Sequence, residues 1–114
     1  MLTVETLREY GANVDEGLGR CLNNEEFYLR MVKKELADVN FEKLAAAVGE
    51  GNARSAFEAA HAIKGAVGNL ALTPIFEPVC ELTELLRGKT QLPDVGELPE
   101  IIADRFGKLK ALAE

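Results

Sequence analysis

The chain has 114 residues and a net charge of −6, with 47% apolar and 28% charged side chains. That length gives a single domain over residues 1–114, which buries about two-thirds of its unfolded surface. The acidic balance excludes nucleic acid as a partner, because such binding needs a basic face to displace counterions. No apolar run approaches the roughly 20 residues that span a bilayer, so no membrane insertion is expected. The opening MLTVETLREYGANVDEG lacks the basic-then-apolar order of a secretion signal, which points to the cytoplasm. Cys21 and Cys80 stand in no CxxC pattern, and in a reducing compartment they read as two buried thiols rather than a disulfide.

Strand alternation is absent and helical spacing recurs throughout. Short helices are predicted around Val4 to Tyr10 and Val14 to Cys21. Asn23 and Glu26 have the spacing of a capping box, opening a helix through Phe27, Leu29, Met31, Val32 and Leu36. Asn40 is the expected cap of the next helix, with Leu44, Ala47 and Val48 on its apolar face and Gly49 and Gly51 closing it. Asn52 restarts the chain for a helix from Ala53 to about Leu70. Thr73-Pro74 is a favourable opening, but Pro78 removes a backbone donor one turn later, so that helix either kinks or begins near Glu77. Arg87 to Pro99 reads as the longest loop, and Ile102, Phe106, Leu109 and Ala113 mark a last helix. The fold class is all-α: an antiparallel four-helix bundle with additional short N-terminal helices on its end or side.

The stretch AHAIKGAVGN holds the only histidine, His61, between helical residues that include Gly65 and Gly68. Each mid-helix glycine costs about 1 kcal/mol relative to alanine. On a helical wheel with His61 at zero, Ala56, Ala59, Ile63, Val67 and Leu70 form one apolar stripe between roughly 160° and 240°. Arg54, Phe57, Glu58, Lys64, Gly65 and Gly68 lie within roughly 60° of the histidine on the opposite side. His61 is therefore expected to be exposed, and glycine beside it makes sense where another molecule must come close. Phe57 on that face is either a contact aromatic or is covered by an N-terminal helix. Lys64, one turn from His61, can reach a group attached to the imidazole. Imidazole is a competent nucleophile near neutral pH, and no second catalytic group stands by to hydrolyse what it accepts. The patch reads as an acceptor site.

AHAIKGAVGNL resembles the signature of the histidine-containing phosphotransfer (HPt) family: Ala-His-x-apolar-Lys-Gly, small residues, then Asn-Leu. LNNEEFYLRMV and VCELTELL resemble the helices on either side, so the likeness runs from about Val14 to Leu86. The resemblance implies a non-catalytic phosphoryl carrier in two-component phosphorelay signalling. His61 would accept the group from a receiver-domain aspartate and pass it to another receiver. Lys64 would be the cation beside the phosphoryl group and Gly65 the gap that admits it, with Arg54, Phe57, Glu58 and Gly68 facing the partner. Partners would be receiver domains of response regulators or hybrid histidine kinases, with the carrier a monomer. No cofactor is implied on this chain, since Mg²⁺ belongs to the receiver. Where the family often has Gly after Asn-Leu this chain has Ala71, which bears on where the long helix ends. The absence of a GxxxxGK[ST] loop argues against a kinase, and the Met1 start fits a free-standing carrier or a domain excised from a larger kinase.

Two other readings differ in class. Glu58-Ala-Ala-His61 has the Glu-x-x-His spacing of metal-binding bundles, but such sites need two of these motifs turned inward. A receiver-docking module that carries no phosphate would share the fold, although it would have little use for the histidine, lysine and glycine together.

Overall fold

The computed structural model describes residues 1–114 and contains seven helices. They are α1 (Val4–Tyr10), α2 (Val14–Arg20), α3 (Glu25–Glu35), α4 (Asn40–Gly49), α5 (Ala53–Asn69), α6 (Thr73–Leu86) and α7 (Leu98–Leu112). Helices α4 to α7 pack consecutively, and α4 also meets α7, which closes the four-helix bundle; α1 lies against α7. The apolar faces converge on one core of 23 buried residues that runs from Val4 and Leu7 through Ile63, Val67 and Leu82 to Ile102 and Leu109.

The helix starts show where local chemistry departs from the expected caps. Asn24, not Asn23, caps α3 by accepting from the Phe27 amide at 3.0 Å. Asn23 instead sits in the left-handed region with Leu22, in the turn before the helix. Asn40 is the first residue of α4 rather than its cap; the Asp38 carboxylate takes its backbone amide at 2.9 Å. Asn52 does cap α5, accepting from Ser55 at 3.0 Å. α5 ends at Asn69 in a left-handed turn: the Ala71 amide donates to Gly68 and the Leu72 amide to Val67. That is the Schellman pattern, with Ala71 at φ 55° in the position usually given to glycine.

Pro78 does not delay α6, since one helix runs from Thr73 to Leu86 with the proline inside it. Its missing N–H leaves the Pro74 carbonyl without its helical partner. Arg105 of α7 supplies one, donating from Nη1 to the Pro74 oxygen at 2.8 Å. The same stretch of α7 accepts the Tyr10 hydroxyl at the Arg105 carbonyl, 2.7 Å away, and this ties α1 to the bundle. Both cysteines are free, as expected, but only Cys21 is buried; Cys80 is half-buried. No helix is long and apolar enough to cross a membrane.

Candidate functional site

α5 buries Ala56, Ala59, Ala60, Ile63 and Val67 and leaves His61 exposed on the other side, as the wheel requires. α6 runs antiparallel along one flank of that exposed face. Phe57 meets Arg87 and Gly68 meets Phe76, so rising numbers on α5 pair with falling numbers on α6. Between these contacts Lys64 lies close enough to Cys80 and Glu84 to favour the charged form of each. Burial nevertheless dominates at Cys80 and pushes its thiol up from the usual value. Lys64 is half-buried and makes no ion pair shorter than the usual limit, which leaves its charge available.

His61, Lys64, Gly65 and Gly68 line one depression of ≈ 490 Å³, together with Arg20, Asn69 and Phe76. The two helix glycines have different physical reasons. At Gly65 a Cβ would meet nothing within 4 Å, so no packing inside the chain accounts for it. At Gly68 a Cβ would lie 2.8 Å from the Phe76 ring, so that glycine admits an aromatic of α6 and is explained without a partner. The wheel treated both alike because a single helix cannot show which neighbour presses on which flank.

The remaining expected residues divide. Phe57 stacks on His61, with ring centroids 5.7 Å apart and planes 12° from parallel. The Arg87 guanidinium also lies over the Phe57 ring, 5.3 Å from its centre, and Glu84 holds it through two hydrogen bonds. The N-terminal helices do not cover it; Phe57 and Arg54 share a depression with Leu86, Gly88 and Lys89 at the end of α6. Arg54 pairs with Glu58 at 3.4 Å, so its charge is largely offset. Glu58 faces the groove toward α4, away from the depression. No third metal-ligating side chain joins Glu58 and His61.

An exposed sole imidazole, a cation one turn along the helix and an open glycine next to that cation fit one family signature. A scan of protein families matches residues 28–113 to the Hpt domain. The chain belongs to the Hpt domain family. Hpt domains are phosphocarrier modules of two-component signalling rather than kinases, and they act with receiver domains. The matched stretch includes the whole bundle through α7 and leaves α1 and α2 outside it. No curated protein and no solved structure gives a significant match.

Sequence reasoning missed Arg20, Asn69 and Arg87 as neighbours of this Hpt site. Arg20 comes from α2 and Arg87 from just past the end of α6, so no spacing within α5 could reveal them. Asn69 was visible in the signature, and its side chain turns out to accept from Arg20 at 3.4 Å.

Proposed function

We propose that this Hpt domain is a phosphorelay intermediate, with His61 as its phosphoacceptor. One observation carries the reading: the only imidazole is exposed beside Lys64 and beneath the open space over Gly65. A ring nitrogen of His61 attacks the phosphorus of a receiver's aspartyl phosphate. The P–N bond forms as the P–O bond breaks, and the aspartate leaves as a carboxylate with the electron pair. The reverse step delivers the group to a second receiver. Lys64 stabilises the added negative charge, and Gly65 lets the partner's backbone approach the reacting atoms. Receiver domains of response regulators or hybrid kinases are the partners, and the receiver brings the Mg²⁺.

The test is a two-step chase. The chain is incubated with a phosphorylated receiver domain, repurified, and mixed with a second, unlabelled receiver. Label should enter the chain in the first step and leave it in the second. A chain that binds receivers and never becomes labelled would be a docking module instead.

A further inference from the structure

Helix α2 lies outside the stretch that defines the family, yet it forms one wall of the His61 depression. It is fastened to the α5–α6 turn directly at its N-cap and indirectly through Tyr28 of α3. The Asn13 amide donates to the Ala71 carbonyl at 2.9 Å, and the buried Tyr28 hydroxyl donates to the Leu70 carbonyl at 2.9 Å. Gly17 packs so closely on the Tyr28 ring that a Cβ there would sit 2.5 Å from it. These contacts fix the end of α2 beside Asn69. Arg20 extends from it over the depression, held by Glu16 at 2.8 Å and Asn69 at 3.4 Å.

That ion pair is about half exposed on both sides, so it adds little to stability. α2 does not need it for anchorage. The depression holds Arg20 and Lys64 against one carboxylate, Glu16; while Glu16 occupies the guanidinium the surplus positive charge is that of Lys64, and Arg20 adds to it only when a partner carboxylate draws it away. Asn69 is two helical turns beyond His61, about 12 Å along the axis, which is beyond the reach of a phosphoryl group on the imidazole. Arg20 therefore faces whatever covers the depression rather than the transferred group.

We propose that Arg20 is a docking residue for an acidic protein surface, with Glu16 as the placeholder that keeps its guanidinium extended until a partner carboxylate takes over. This rests on the phosphorelay reading, in which the covering surface belongs to a receiver domain and Arg20 meets a carboxylate at the margin of that contact, away from the transferred group. Arginine suits the exchange because its planar fork accepts one carboxylate in place of another without rebuilding the side chain.

The proposal separates from a purely structural ion pair by the sign of two substitutions. The receiver domain that phosphorylates the wild-type chain serves as probe, unphosphorylated and with Mg²⁺, titrated by calorimetry at low and moderate salt. Arg20→Gln should weaken binding about three- to fivefold and Arg20→Glu about tenfold, with the effect shrinking as salt rises. Glu16→Gln should tighten binding about twofold, since it frees the guanidinium. Phosphohistidine lifetime in the absence of receiver should not change in any of them. Parallel weakening by Arg20→Gln and Glu16→Gln would make the pair a staple and overturn the proposal, as would unchanged affinity in all three. Normal affinity with faster phosphohistidine loss in Arg20→Gln would assign the residue to the phosphoryl group instead and overturn docking. A wild-type chain that no receiver phosphorylates overturns the phosphorelay reading and this one with it. A phosphorylated wild type with indifferent variants overturns this one alone.

Discussion

The Phe57 ring lies almost parallel to the imidazole of His61, one turn along α5, with centroids 5.7 Å apart. The Arg87 guanidinium lies over the same ring, 5.3 Å from its centre, so the aromatic that stacks on the histidine is also engaged from the end of α6. Phe57→Ala should therefore slow transfer and weaken receiver binding together. Loss of an aromatic anchor at an interface centre costs about 2 kcal/mol or more. Calorimetry against an unphosphorylated receiver, alongside transfer rates, checks both effects. If binding is normal and only transfer slows, the ring orients His61 and does not touch the partner.

Gly65 separates helix stability from access. With open space around its Cα, Gly65→Ala should raise the stability of the protein by up to about 1 kcal/mol. Gly65→Leu should also fold, and its side chain should obstruct the approach to His61 and reduce transfer sharply. Thermal melts and transfer assays on both variants test this. Wild-type transfer by Gly65→Leu would mean that close approach is not what the glycine provides.

The order of the helices and the exposure of His61 were legible in the sequence because both follow from periodicity within single helices. The start of α6 was not, since the carbonyl that Pro78 frees at Pro74 is satisfied by Arg105, a residue that lies far away in sequence. A packing reason for Gly68 was hidden in the same way: the Phe76 ring that fills its flank belongs to another helix. Asn23 and Asn24 are both competent caps, and the left-handed turn at Leu22 and Asn23 decides between them. Packing between elements settled each of these, and one-dimensional spacing contains no record of it.

Ala71 holds a left-handed conformation at φ 55° in the turn that ends α5. An alanine there is strained by about 1 kcal/mol, part of which glycine gives back through its more flexible unfolded chain. Ala71→Gly should therefore stabilise the fold by a few tenths to about 1 kcal/mol, with transfer unaltered. Urea unfolding with an unchanged m-value is the check. A destabilised variant would show that the Ala71 methyl, buried in this turn, contributes more through packing than its backbone strain removes.

Glu35 gives the protein a distinct pH response. Burial, and then the neighbouring Asp38 carboxyl, push its carboxyl up to about 8, and its Oε2 is buried without a hydrogen-bond partner. The raised group prefers its protonated form in the folded state. Its contribution is complete below the ordinary carboxylate range and is lost as pH rises through about 8. Glu35→Gln should match the wild type near pH 5 and exceed it in melting temperature near pH 8.5, values chosen as roughly bracketing the shift. A constant difference across that range would contradict the assignment.

The central claim is that His61 carries the phosphoryl group, and one paired labelling experiment reaches it directly. Wild-type and His61→Gln proteins are incubated with the same radiolabelled phospho-receiver, and the acid-labile, alkali-stable label on each is counted. His61 is exposed on α5 and belongs to no hydrogen bond or ion pair with the rest of the fold, so the variant should melt like the wild type. The account predicts label on the wild-type chain and none on His61→Gln. Equal label on both proteins would contradict it.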